Sequence, residues 1–153
     1  MIVALVEFLS IFLLGLASGV SFSHLLQGGP KKTLPAPQFL ATQQILLRNY
    51  GPAIGGLEVA ALFSTAAMAI VTRQEPVARV LATLASSCVL VMVLIWAVWI
   101  NAINKKVNSW TSESIPLNCA DLRDSWHYLH RDPTCVLCGR FQRGYRCITR
   151  IRT

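Results

Sequence analysis

Charge is scarce in this chain. Of its 153 residues, 14% are Asp, Glu, Lys or Arg, against roughly 25% in ordinary soluble domains. Apolar residues make up 54%, an excess that a soluble core does not need. Alternating polar and apolar residues of the kind that build barrel strands are missing, which excludes a β-barrel and leaves helices to satisfy the backbone in lipid. Also missing are a nucleophile elbow, a phosphate-cradling glycine loop and a dinucleotide fingerprint. The glycines between Gly51 and Gly56 have no strand before them and suit close helix packing instead. The net charge of +7 comes with no recognised nucleic-acid fold or base-reading motif, so nucleic acid is not an expected partner.

Cysteine is present without a framework. Cys88 lies inside an apolar run, and Cys119, Cys135, Cys138 and Cys147 crowd the last thirty-five residues, an odd, clustered set unlike that of a secreted disulfide scaffold. The single pair Cys135-Val-Leu-Cys138, with His127 and His130 nearby, invites a zinc reading, but no second pair follows it. A redox CxxC would sit in an α/β context that this chain lacks. Incidental or palmitoylated cysteines next to a membrane fit better, and we assign neither a metal nor a cofactor.

What the chain does have is long apolar runs. Val80 to Ile100 is twenty-one residues without charge or proline, enough to cross a bilayer core as one helix. Gly51 to Thr72 is a second run, rich in Gly, Ala and Ser, the small residues that let helix backbones approach closely in lipid. Ile2 to about Leu26 is a third, interrupted by Glu7. Its stretch Gly15-Leu-Ala-Ser-Gly19 could serve a signal-peptide cleavage site, but no Lys or Arg precedes the apolar part, so a retained helix is expected.

Between the first two runs, Gly28-Gly-Pro30, Pro35 and Pro37 predict a loop and then a short amphipathic helix. Phe39, Leu40, Gln43, Gln44, Leu46 and Leu47 would form one face of that helix, against the bilayer interface or the bundle. Arg73, Pro76 and Arg79 mark a tight turn between the second and third runs, and Trp96 and Trp99 stand where an interfacial aromatic belt belongs. A helix over Ala120 to Arg131 is predicted to present Leu122, Ser125, Trp126 and Leu129 on one face. From Asp132 onward the pattern disappears.

The expected fold is therefore an all-α integral membrane bundle of three transmembrane helices with an interfacial amphipathic helix, spanning residues 1–131. Residues 132–153 form a basic, cysteine-containing tail. Of fourteen Lys and Arg, three lie in the first connection and nine after residue 104, which places both on the cytoplasmic side and the amino terminus outside. The expected surroundings are the lipid bilayer, a small hydrophobic aromatic substrate if the protein is an enzyme, and a second copy if it oligomerises.

Ionisable groups within spans are costly and often functional. Glu58, two turns into the second run, is the foremost candidate; His24 stands near the end of the first run, and Glu7 lies close enough to the terminus to reach headgroups.

Asn104, Trp110, Pro116, Arg123, Trp126, His130 and Arg131, in that order, together with Ser21-Phe-Ser-His24 and the Gln43-Gln44 to Arg48 helix, resemble the anthrone oxygenase-like family of small integral membrane proteins. The likeness covers residues 1 to about 131. It implies a four-helix membrane bundle, mostly of unknown function, whose few assigned members use oxygen to turn an anthrone into a quinone without an evident cofactor. On that resemblance His24 or His130 would be the base, and Asn104 or Arg123 would stabilise the developing oxyanion; Glu58, singled out by its place in the second run, is a further catalytic candidate. The family's proline shortly before Asn104 and tryptophan near Asn118 are missing here. A fourth apolar helix should follow Arg131, where this chain reads Asp132-Pro-Thr-Cys135 into an arginine-rich tail, such as a frameshifted reading would give. Two functions are thus expected: a structural or accessory membrane subunit, or a cofactor-independent oxygenase acting in a membrane cavity. A transporter is disfavoured by three spans without an internal repeat.

Overall fold

The computed structural model describes residues 2–131, without the side chains of Asn49 and Arg131. Five α-helices follow one another: α1 (Ile2–Lys32), α2 (Ala36–Val71), α3 (Pro76–Ile95), α4 (Asn101–Ser109) and α5 (Cys119–Arg131), with a π-helical turn over Trp96–Ile100 joining α3 to α4. Three helical stretches are long and apolar enough to cross a membrane, Ile2–Lys32, Tyr50–Val71 and Pro76–Ser109. The all-α membrane fold read from the apolar runs is the fold observed. The tail with Cys135, Cys138, Cys147 and its five arginines lies outside the described residues.

Helix boundaries differ from the sequence expectation around the prolines. α1 continues through Gly28, Gly29 and Pro30 to Lys32, and the loop is three residues instead of more than ten. Pro30 lies in the last turns of α1, where it removes a single backbone donor, and Lys31 and Lys32 complement the negative end of the helix dipole. The end is tightened by Thr33 N–H on Pro30 O and Leu34 N–H on Lys31 O. Pro35 offers its carbonyl to Phe39 N–H at 2.9 Å, and Pro37 sits in the first turn of α2, where a missing N–H costs nothing. The amphipathic stretch and the second apolar run are one helix of 36 residues, continuous through Pro52.

The turn between α2 and α3 matches the sequence. Thr72 folds back on Met68 O through both N–H and Oγ1, Glu75 N–H reaches Thr72 O, and Arg79 N–H reaches Glu75 O. Pro76 takes the first helical position, which its fixed φ suits.

The chain forms two compact units. The first comprises the residues up to Ser21 and Gly51–Leu94. Its three helical stretches are each about 20 residues, or about 30 Å at 1.5 Å per residue, the thickness of the hydrocarbon core. Its interior is small and polar, with Ser10, Ala17, Glu58, Ala61, Thr65, Ala82 and Val89 buried, while Phe8, Phe12, Phe63, Leu81 and Leu84 face outward. That inversion is what lipid as solvent calls for. Ser10 joins α1 to α2 through its hydroxyl, 2.9 Å from Ser64 O.

The second unit comprises, of the described residues, Phe22–Tyr50 and those from Ile95 to the end of α5. Here the end of α1, the start of α2, α4 and α5 enclose a core of Phe39, Leu40, Ile100, Ile103, Val107, Leu122, Trp126 and Leu129. Phe39, Leu40 and Gln43 turn inward, as their spacing predicts, and between them and Leu47 the exposed residues are Ala41 and Ile45. Gln44 Nε2 donates to Val107 O at 3.0 Å and to Trp110 O at 2.9 Å, satisfying carbonyls that the end of α4 would otherwise leave open.

Candidate functional site

All three histidines of the chain meet in the second unit, around Trp126. α1 brings His24, and α5 brings His127 and His130, three residues apart and so on neighbouring turns. His24 stands edge-on to Trp126, ring centroids 5.2 Å apart, and to His130 at 4.7 Å. His130 lies 3.8 Å from Trp126 at a shallow tilt, and His127 meets the same indole edge-on at 5.1 Å. Tyr50 approaches His24 from α2 at 6.2 Å.

Two hydrogen bonds settle chemical states. His130 Nδ1 lies 2.8 Å from Trp126 O; a carbonyl can only accept, so Nδ1 carries the proton and Nε2 has the free lone pair. Trp126 Nε1 donates to Asn104 Oδ1 at 2.9 Å, which holds the Asn104 side chain by its oxygen.

Burial, then the neighbouring His24, hold the His130 pKa down to about 3, against a smaller upward pull from the Trp126 carbonyl. His127 is lowered to about 4, first by burial and then by Lys31 and Lys32, with Asp124 opposing. Both rings are neutral at physiological pH. Burial raises the Cys119 thiol, partly offset by Arg123.

Cationic side chains border the rings. Lys31 is only 6% exposed; its Nζ lies 3.3 Å from Gln43 Oε1 and 5.4 Å from the centre of the Trp126 ring. Arg123 lies over the Phe39 ring at 5.8 Å and donates from Nη1 to Leu34 O at 3.4 Å. Asp124 Oδ1 sits 3.5 Å from Lys32 Nζ and 3.6 Å from Arg123 Nε. Three buried atoms here, His24 Nδ1, Arg123 Nε and His127 Nε2, have no hydrogen-bond partner among the described residues. Native interiors seldom leave such groups unpaired.

Of the residues singled out from sequence, His24, Asn104 and His130 converge on Trp126, and Arg123 stands one turn before Trp126 on α5. Glu58 belongs to the first unit, where it is buried with Oε2 unpartnered. Sequence reasoning missed Lys31, which the glycine-proline stretch had put in a loop, and Gln43, counted only as part of a helix face. It weighed His127 as a metal ligand alone, although three-residue spacing to His130 already set both near one helix face. Among the described residues, no three His, Cys, Asp or Glu side chains are grouped as a metal ion would require. Compared with protein-family models, with curated proteins and with solved structures, the chain matches none.

Proposed function

We propose that the second unit is the reactive part of a membrane-embedded, cofactor-independent oxygenase acting on a phenolic, anthrone-like substrate. The observation that carries this reading is the tautomer of His130. Its Nδ1 is committed to the Trp126 carbonyl, so a neutral ring offers Nε2 as a base, and His24 flanks it. The base takes a proton from the acidic ring CH₂, and the carbanion transfers electrons to O₂ and bonds to it. Loss of the second C–H proton with O–O cleavage then leaves a carbonyl and water. Asn104, whose oxygen accepts from Trp126, takes the part of donor to the oxygen on which negative charge gathers. With three spans, the connection between α1 and the second span and the chain beyond α4 fall on one side of the bilayer, and their basic residues assign it to the cytoplasm.

The test is oxygen uptake and quinone absorbance by the purified protein in lipid nanodiscs supplied with an anthrone. Turnover is expected, with His130→Ala lowering it by roughly 10²–10⁴-fold, the usual contribution of a positioned base. No turnover by the wild type, or full turnover by His24→Ala and His130→Ala alike, overturns the reading.

A second reading, a structural or accessory membrane subunit, is favoured by one observation. Gln44 Nε2 and Arg123 Nη1 donate to backbone carbonyls of neighbouring segments, Val107, Trp110 and Leu34, which ties segments together.

A further inference from the structure

Lys31 is a buried cation without a counter-ion among the described residues. No carboxylate among the described residues lies within ion-pair distance of it; Asp124, the nearby acid, pairs with Lys32 and Arg123. One side-chain oxygen, Gln43 Oε1 at a long 3.3 Å, serves three N–H groups, and the face of Trp126 supplies the remaining electron density. Taking an ammonium out of water is expensive unless a charge and hydrogen bonds replace the solvent. The groups around it make the deficit greater: its charge is felt at His127 and His130, both neutral rings, and Lys32 and Arg123 are further cations. The unpartnered His24 Nδ1 and His127 Nε2 belong to the same shell. Each would be satisfied by a ligand that brings an anionic oxygen and a hydroxyl.

We propose that Lys31 is the counter-charge of a bound ligand, an aromatic compound presenting an ionised oxygen, phenolate or enolate, to Nζ. The inference rests on the oxygenase reading for the class of ligand. It also removes a difficulty in that reading, since a base as weak as His130 takes a proton from carbon only where the resulting anion is itself stabilised. Lys31 supplies that stabilisation from the far end of α1.

The test uses two probes on the full-length protein in nanodiscs: a hydroxyanthraquinone, ionised at mildly alkaline pH, and its methyl ether, which cannot ionise. Binding is read by quenching of tryptophan fluorescence. The wild type should prefer the ionised probe by about tenfold or more, Lys31→Met should lose that preference while keeping the methyl ether within about twofold, and Lys31→Arg should retain it. An equal preference in Lys31→Met overturns the proposal. So does a wild type that shows no preference, a result that stands even if Lys31→Met does not fold. Oxygen uptake separates the two ideas: a wild type that binds through Lys31 but consumes no oxygen overturns the oxygenase reading and leaves the anion site.

Discussion

The indole N–H of Trp126 ends on the side-chain oxygen of Asn104, 2.9 Å away, and this contact ties α5 to α4 across 22 residues of sequence. Trp126 is 3% exposed, so its N–H has no water to fall back on. Its ring is also the surface against which all three histidines are placed, which makes the orientation of Asn104 a condition for the whole arrangement.

Replacing Asn104 by Leu therefore strands a buried donor. The expected loss is about 1–3 kcal/mol of stability, read as a lower melting point in detergent by tryptophan fluorescence. Trp126→Phe in the same background should recover most of that difference, because the stranded N–H is removed with the indole. If the double variant were no better than additive, the hydrogen bond would carry little of the effect.

Gly28 is a place where the absence of a side chain has a use. A Cβ there would stand 3.4 Å from His127 Nδ1, which is ordinary contact. Gly28→Ala should be tolerated and gain up to about 1 kcal/mol from helix propensity. Gly28→Leu should displace the His127 ring and lower the melting point instead. A leucine variant as stable as the alanine variant would show that the ring is not held where it is by this contact.

In the first unit the informative change is Ser10→Ala. The hydroxyl is 2.7 Å from Val6 O in its own helix and 2.9 Å from Ser64 O in α2, so alanine removes one link between helices without adding bulk. A loss near 0.6 kcal/mol is expected, the average worth of such bonds in lipid. Ser10→Leu should cost more, since the site is 4% exposed and the neighbouring interior is built of small residues. Unfolding in detergent mixtures gives both values.

The fold was legible because lipid imposes a simple rule on sequence. Apolar runs of about twenty residues identify the three spans, and the turn at Thr72 to Pro76 follows from proline between two arginines. What could not be read was the continuity of helices through Pro30 and Pro52. Proline and glycine signals report local preference, while Gly28 packing against His127 and Pro52 inside a long helix depend on tertiary neighbours. The site was half legible for the same reason. His24, Asn104 and His130 stand out in the sequence itself, but the placement of Lys31 depends on α1 running six residues beyond its apolar part. Glu58 stood out as a carboxyl in lipid, a property of the span it occupies, which is a separate matter from the histidines gathered in the second unit.

The histidines make stability depend on pH, and the sign follows from where protons bind. In the fold His127 titrates at about 4 and His130 at about 3, against 6.5 for an unperturbed imidazole. Between these limits the unfolded chain holds protons that the folded one does not, so stability rises with pH. The contribution is intact above about 6.5 and is lost as pH falls from there toward the folded values. The melting point in detergent should thus be flat from pH 8 to 7 and decline steadily from pH 6.5 to 5. Asn at either His127 or His130 should make that decline shallower, and Asn at both should make it shallower still, leaving His24, the third ring of the cluster, and at lower pH the carboxylates. A wild-type melting point that stayed constant or rose between pH 7 and pH 5 would mean that these rings accept protons inside the fold. The free lone pair on His130 Nε2 would then be open to solvent, and the base proposed for the reaction would titrate near neutrality.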